Sequence, residues 1–386
     1  MSAINESVTH MIQRQRANAQ EAAKPTDERV RKISPWRVLL DRPELGSIAG
    51  TVLVFVFFAF TAGDSGMFAL DGVINWAKVA AYLGILAVGA CLLMIAGEFD
   101  LSIGSMIGFA GVVVAIPPMY LGWPLWASVI AAFLVCMALG WLNGYLVVRT
   151  KLPSFIVTLA FMFVLRGLTL VLSTTFANST IVSGVGSKFD ESPFVSALFS
   201  GTTMHGLFAF LASHGVIDSF PNGEPVVGGI PKVLLWWIAL AVVAGFVLAR
   251  TRFGNWIYTV GGDANAAKNV GVPVRRVKIS LFVLTAFCAC LFGVLQVAEF
   301  GSAASDRGLQ KEFEAIIAVV IGGTLLTGGF GSVIGACFGA IIFGVVQIGI
   351  SYTNIDSDWY RVFLGGMLLI AVLFNHYIRS RAASTK

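Results

Sequence analysis

The chain has 386 residues, of which 57% are apolar and 12% charged, with a formal net charge of +5 and a mean hydropathy of +0.83. Soluble domains carry about 25% charged residues, so the composition excludes an ordinary soluble enzyme or binding module and identifies an integral membrane protein. The basic excess is spread over several loops, which makes it a topology signal and gives no patch for a nucleic acid.

Residues 1–45 are polar and mixed in charge, without the apolar core of a signal peptide. They read as a cytoplasmic tail, largely disordered. A membrane span needs about 20 apolar residues. The stretches that approach this ruler are 46–61, 74–96, 102–121, 124–148, 153–173, 230–249, 277–300, 315–327, 332–352 and 359–377. The first is short and the eighth very short, which predicts a tilted or re-entrant piece. The expected fold is all-α: a polytopic helical membrane protein with about ten transmembrane helices. Its transmembrane domain covers 46–378, with a short tail at 379–386. Lys and Arg gather at 149–151, at 250–278 and in both tails, whereas Asp and Glu gather in the other loops. The positive-inside rule then makes both termini and the 250–278 loop cytoplasmic.

The 176–229 gap is extracytoplasmic on this topology and too long for plain coil. Its apolar stretches 194–199 and 204–212 are too short to span, so one or two helices are expected at the membrane surface. His205 and His214 lie here, but no metal site is assigned. Cys91, Cys136, Cys288, Cys290 and Cys337 all fall within apolar segments. They read as small packing residues, since Cys288 and Cys290 point in different directions on a helix.

The 250–278 loop is polar and basic, between two spans. Asp263 is placed to cap a helix, its carboxylate accepting from free backbone N–H groups one turn on. Residues 264–270 suit a helix, Gly271 suits the left-handed position after it, and Pro273 stops continuation. Two turns fall well short of the ~12 residues an isolated helix needs in water, so this helix needs tertiary support. Ala264, Ala266 and Ala267 let another surface come close. Taken without its context, the same stretch reads as an ordinary inter-span loop.

Gly331, Gly335 and Gly339 recur every four residues and form a stripe for close helix packing. Gly322-Gly323-Thr324 and Gly328-Gly329-Phe330-Gly331 interrupt the apolar run. They suggest a broken helix or tight turn, tolerated in a membrane only where backbone groups find protein or water. No phosphate-binding Gly-x-x-x-x-Gly-Lys-[Ser/Thr] loop occurs, so the chain does not bind ATP in the usual way. Glu98, Asp100 and Ser102 lie between two spans; the carboxylates either cap helices or line a polar path. Arg166 either snorkels to the outer interface or pairs inside the bundle. Asn143, Gln296, Glu299 and Gln347 serve either a polar solute or inter-helix hydrogen bonds. No catalytic residue emerges.

Four stretches carry a resemblance. They are Ala96-Gly97-Glu98-Phe99-Asp100-Leu101-Ser102-Ile103-Gly104-Ser105; Leu152-Pro153-Ser154-Phe155-Ile156-Val157-Thr158-Leu159 with Arg166-Gly167; the segment 261–278; and 312–335, with Ala318-Val319-Val320-Ile321-Gly322-Gly323-Thr324. In this order they resemble permease subunits of bacterial ATP-binding-cassette (ABC) importers of the ribose/xylose type, related to the branched-chain amino acid permeases. The resemblance runs from about the first span to the last. Glu98 departs from it, standing where the family carries an apolar residue.

The resemblance implies a bacterial inner-membrane permease that works as a pair, a second permease copy facing the first. A separate ATP-binding subunit uses ATP and Mg and grips Asp263, Ala264, Ala267, Lys268, Val270 and Gly271; this chain binds no cofactor itself. A periplasmic solute-binding protein delivers a monosaccharide or similar small polyol, with Arg307 and Lys311 as docking residues. Glu98, Asp100, Ser102, Asn143, Arg166, Gln296 and Glu299 line the path. Two rival readings stand beside this one. An ion-coupled secondary transporter needs ionisable residues at mid-bilayer in paired broken helices, and only Arg166 and Glu299 are arguable. A membrane-embedded enzyme needs a His/Asp/Glu cluster or a Cys–His pair in the spans, which the sequence lacks.

Overall fold

The computed structural model describes residues 43–353, 355, 356, 358–367, 369, 370 and 373. The chain first forms α1 (Pro43–Ala62), α2 (Leu70–Ile95), α3 (Ile103–Tyr120), α4 (Leu125–Thr150) and α5 (Ser154–Ala177). The insertion follows, with β1 (Ile181–Val182), α6 (Val185–Asp190), α7 (Pro193–Phe199), β2 (Thr202–Thr203), α8 (His205–Ser213) and β3 (Ile230–Pro231). Next come α9 (Lys232–Arg250), α10 (Arg252–Gly262), α11 (Ala264–Asn269) and α12 (Val274–Phe300). Then come β4 (Ala303–Ala304), α13 (Lys311–Ile321) and α14 (Val333–Ser351), and residues 359–367 beyond them are helical.

Among the described residues, 8 helices are long and apolar enough to cross a membrane: α1 to α5, α9, α12 and α14. The sequence suggested about ten, and the difference has two sources. The 315–327 candidate is α13, whose 11 residues rise only ~16 Å at 1.5 Å each, about half a bilayer core. The 359–377 candidate lies partly outside the described residues, as do the N-terminal tail up to residue 42 and the 379–386 tail.

The helices end where the backbone cannot continue. Lys151 and Asn178 take left-handed conformations after α4 and α5, at φ 59° and 51°. Pro153 then restarts the chain as the cap of α5. Burial divides the spans into centre and periphery: 83% of the most apolar stretch of α2 is buried, against 22% of that of α9. The central helices are α2, α3, α12 and α14, with α2 packed on α12 and α14, and α12 on α3 and α4. Glycine permits a close crossing of α14 on α2: a Cβ on Gly344 would lie 2.5 Å from the Trp76 carbonyl oxygen. Cys91, Cys136, Cys288 and Cys290 are buried, unpaired packing residues within these helices.

The insertion folds as three short helices where one or two were expected. It is tied to the bundle at several places. β1 pairs antiparallel with β4, placing Ile181 opposite Ala304 just after α12. The Lys232 ammonium donates to the Ser196 carbonyl at 2.8 Å, and the Trp236 ring stacks on Phe199. His205 and His214 have separate partners, Thr202 and the Phe210 carbonyl.

Candidate functional site

The loop between α9 and α12 is built by local capping. Thr251 accepts from the Gly254 amide at 3.2 Å and starts α10. The Asp263 carboxylate accepts from the amides of Asn265 and Ala266 at 2.8 and 3.0 Å and starts α11. Gly271 closes the motif at φ 84°. The sequence placed the helix end at Val270; helix geometry stops at Asn269, and Val270 is its C-terminal cap. The two faces of α11 differ. Ala267 is fully buried within the chain, so it anchors the helix rather than presenting itself to another molecule. Asp263, Lys268 and Gly271 face solvent, Ala264 is half-buried, and Val270 is 76% exposed.

Behind α11 the backbones of three segments meet. A Cβ on Gly261 would lie 1.7 Å from the Ile95 carbonyl oxygen, and the Gly329 amide donates to that same oxygen at 2.8 Å. Gly328, at φ 78°, would set a Cβ 2.8 Å from the Gly97 Cα. Only glycine serves both the close approach and the left-handed backbone. The Tyr258 hydroxyl of α10 donates to the Gly331 carbonyl at 2.8 Å. Burial pushes its pKa up to about 12, so it remains a donor across the physiological range. Lys278, in the second turn of α12, pairs with Glu98 in the link between α2 and α3. The sequence flagged Glu98 as a departure but gave no sign of its partner.

One residue pair deeper, Asp100 is buried and organises a polar cluster. It accepts from the Ser102 amide and hydroxyl at 2.9 and 2.6 Å and from the Thr285 hydroxyl at 2.7 Å. Asn143 donates to the Ser102 hydroxyl at 3.0 Å. Burial raises the Asp100 pKa above the ordinary carboxylate value, and the bonds from Ser102 and Thr285 oppose the rise. Thus Asp100, Ser102 and Asn143 come together, and Thr285, which the sequence reading missed, completes the cluster by joining α12 to it.

Arg166 takes the inward alternative. Its guanidinium lies 3.9 Å from the Glu312 carboxylate at the start of α13. Glu312 is 1% exposed and faces Gly104, where a Cβ would collide with its carboxylate. The glycine stripe seats the other side of α13: Gly335 lies against Gly322 and Gly339 against Ala318. Gly331 lies before α14, whose cap is Ser332.

Gln296 and Glu299 belong to a separate place. A pocket of about 260 Å³ opens between α2, α12, α13 and α14, near the end of the bundle that carries the insertion. Lys78 and Glu299 pair across it at 2.7 Å, and Lys311 and Glu314 pair beside it at 2.5 Å. Gln296, Gln347, the rings of Tyr82, Phe292 and Phe300, and the side chains of Val79 and Leu83 complete its wall. Arg307 folds onto its own loop, donating to the Ser302 and Gln296 carbonyls at 2.7 and 3.2 Å and lying over the Phe300 ring.

The seven residues proposed for a path therefore fall into four places: Glu98 beneath the basic loop, the Asp100–Ser102–Asn143 cluster, the Arg166 pair, and the pocket with Gln296 and Glu299. Residues 72–372 match the family model described as branched-chain amino acid transport system / permease component. The xylose transport system permease protein XylH of Escherichia coli is 32% identical over 366 residues, covering 87% of this chain and 92% of the relative. The fructose import permease protein FrcC of Rhizobium meliloti is 33% identical, covering 78% of this chain and 77% of the relative. The ribose import permease protein RbsC of Haemophilus influenzae is 28% identical, covering 81% and 88%. No solved structure matches the chain. The chain belongs to the ribose/xylose-type permease family of ABC importers, related to the branched-chain amino acid permeases, and is a multi-pass permease subunit of the inner membrane.

Proposed function

We propose that two copies of this chain form the translocation path of an importer for a monosaccharide or similar small polyol. The observation that carries this reading is α11: a capped two-turn helix, anchored by buried Ala267, presents exposed Val270 and Lys268 on a basic loop. A separate ATP-binding subunit, using ATP and Mg, holds that face from the cytoplasm. Its closure moves α11, and the glycine junction and the Glu98–Lys278 pair pass the motion to the α2–α3 link. The names of the xylose, fructose and ribose relatives support the solute class.

On this reading the bundle has about ten spans, with both termini cytoplasmic and the 176–229 insertion outside. The domain limits remain 1–45, 46–378 and 379–386. A periplasmic binding protein delivers solute at the insertion end, where Arg307 and Lys311 shape the rim and meet acidic groups. Charge reversal at either is expected to weaken docking, most strongly at low salt.

The test is uptake of labelled xylose, ribose and fructose by liposomes holding the chain with its ATP-binding subunit and binding protein. ATP-dependent accumulation of at least one sugar is expected. Uptake that ignores ATP and collapses with an ionophore identifies an ion-coupled carrier and overturns the reading.

A further inference from the structure

The pocket between α2, α12, α13 and α14 sets two ion pairs and two glutamines among apolar and aromatic side chains. We infer that it is the permease's own solute subsite and that it selects a neutral, hydroxyl-rich solute over a charged or zwitterionic one. This rests on the importer reading above and adds the residues that choose the solute.

Its place and size fit an entry site. Lys78 lies in the third turn of α2 and Glu299 in the last turn of α12, both toward the insertion end. A pocket of about 260 Å³ has room for one small solute.

Its charges are balanced and already spoken for. Lys78 is paired with Glu299 at 2.7 Å and Lys311 with Glu314 at 2.5 Å. A carboxylate or ammonium on the solute has to break one of these pairs to be neutralised. A hydroxyl does not. Each ammonium keeps further N–H donors and each carboxylate a second oxygen, and a hydroxyl both donates and accepts. Two glutamines extend the same offer, and the Gln296 side-chain carbonyl oxygen is buried without a partner. An unsatisfied buried acceptor is costly, and rotation of the amide toward a bound hydroxyl relieves it. The rings of Tyr82 and Phe292, with centroids 4.9 Å apart, flank the polar groups. The Tyr82 hydroxyl is engaged with the Leu295 carbonyl at 3.2 Å, so the ring is what it offers, suited to the C–H face of a polyol. A branched aliphatic solute leaves both glutamines unpaired, and a site built to hydrogen bond discriminates strongly against such a solute.

The test uses liposomes with the full chain, its ATP-binding subunit and its binding protein, and compares wild type with Gln296→Leu, Gln347→Leu and the conservative Gln347→Asn. Initial uptake of labelled xylose, ribose, fructose and leucine is read beside ATP hydrolysis. The Leu variants are expected to raise ATP hydrolysed per sugar moved by about tenfold, the effect of one lost hydrogen bond, and Gln347→Asn to recover part of it. A wild-type ratio in both Leu variants overturns the subsite, as does a parallel fall of uptake and hydrolysis, which marks a purely structural role. Preference of the wild type for leucine overturns the solute class. A wild-type complex that moves none of the four solutes with ATP removes the importer reading, and the subsite with it; ATP-driven sugar uptake that ignores the pocket variants removes the subsite alone.

Discussion

Lys278 donates to Glu98 across 180 residues of chain, joining the start of α12 to the link between α2 and α3. Lys278 follows α11 closely in sequence, and Glu98 stands two residues from Asp100, so the pair connects the exposed 250–278 loop to the buried polar cluster. Both side chains are mostly buried, which limits solvent screening. A double-mutant cycle with Glu98→Gln and Lys278→Met is expected to give a coupling energy of about 1 kcal/mol or more. The measurement is thermal unfolding of the purified complex. Additive single effects place the pair outside the joint.

The glycine junction tolerates no side chain. Gly261→Ala puts a methyl group against the Ile95 carbonyl, where 1.7 Å separates them before relaxation. The backbones of α2 and α10 have to separate, and the Gly329 amide loses its acceptor. The melting temperature is expected to fall by several degrees, consistent with the 1–3 kcal/mol typical of overpacking. Gly262→Ala, next in sequence and meeting nothing within 4 Å, is expected to leave it within a degree or two. Equal behaviour of the two variants contradicts the close approach.

The two faces of α11 differ in burial, with Ala267 inside and Val270 outside. Val270→Asp is expected to weaken capture of the ATP-binding subunit at least tenfold while leaving the melting temperature of the isolated permease unchanged. Ala267→Trp is expected to lower that melting temperature, because it overfills a buried position. Ala264→Arg, at the half-buried start of the helix, is expected to uncouple ATP hydrolysis from uptake. Asp263→Ala removes the cap and costs about 1 kcal/mol. Titration of the detergent-solubilised variants with the ATP-binding subunit checks the set.

Arg166 and Glu312 form a pair whose members are unequal. Glu312 is buried, whereas the Arg166 side chain is 36% exposed. Arg166→Leu leaves a buried carboxylate without its counter-charge, and because the arginine is itself a third exposed and 3.9 Å away, it is expected to destabilise by about 1 kcal/mol. Arg166→Leu with Glu312→Gln is expected to recover most of that loss. A double variant as unstable as the single shows that the pair has no such role.

Much of this was legible in the sequence because it follows from local rules. Asp263, Gly271 and Pro273 mark the bounds of α11 through capping and backbone geometry, and the 315–327 stretch was visibly very short, though still counted among the spans. The four-residue glycine spacing anticipated the packing of Gly335 and Gly339 on α13. What escaped was long-range. Thr285 on Asp100, Glu312 on Arg166, Lys78 on Glu299 and Lys278 on Glu98 join elements far apart in the chain, and nothing in local periodicity states which turns will face each other. The orientation of Ala267 escaped for a related reason, since a six-residue helix has no periodicity with which to distinguish its faces.

The central claim is that the permease has no motor and is driven through α11 by a partner that hydrolyses ATP. The most direct measurement is solute accumulation in liposomes carrying the chain alone, beside liposomes carrying the chain with its ATP-binding subunit and binding protein. Accumulation is expected only in the second preparation, and there only with ATP. Uphill accumulation by the chain alone contradicts the claim.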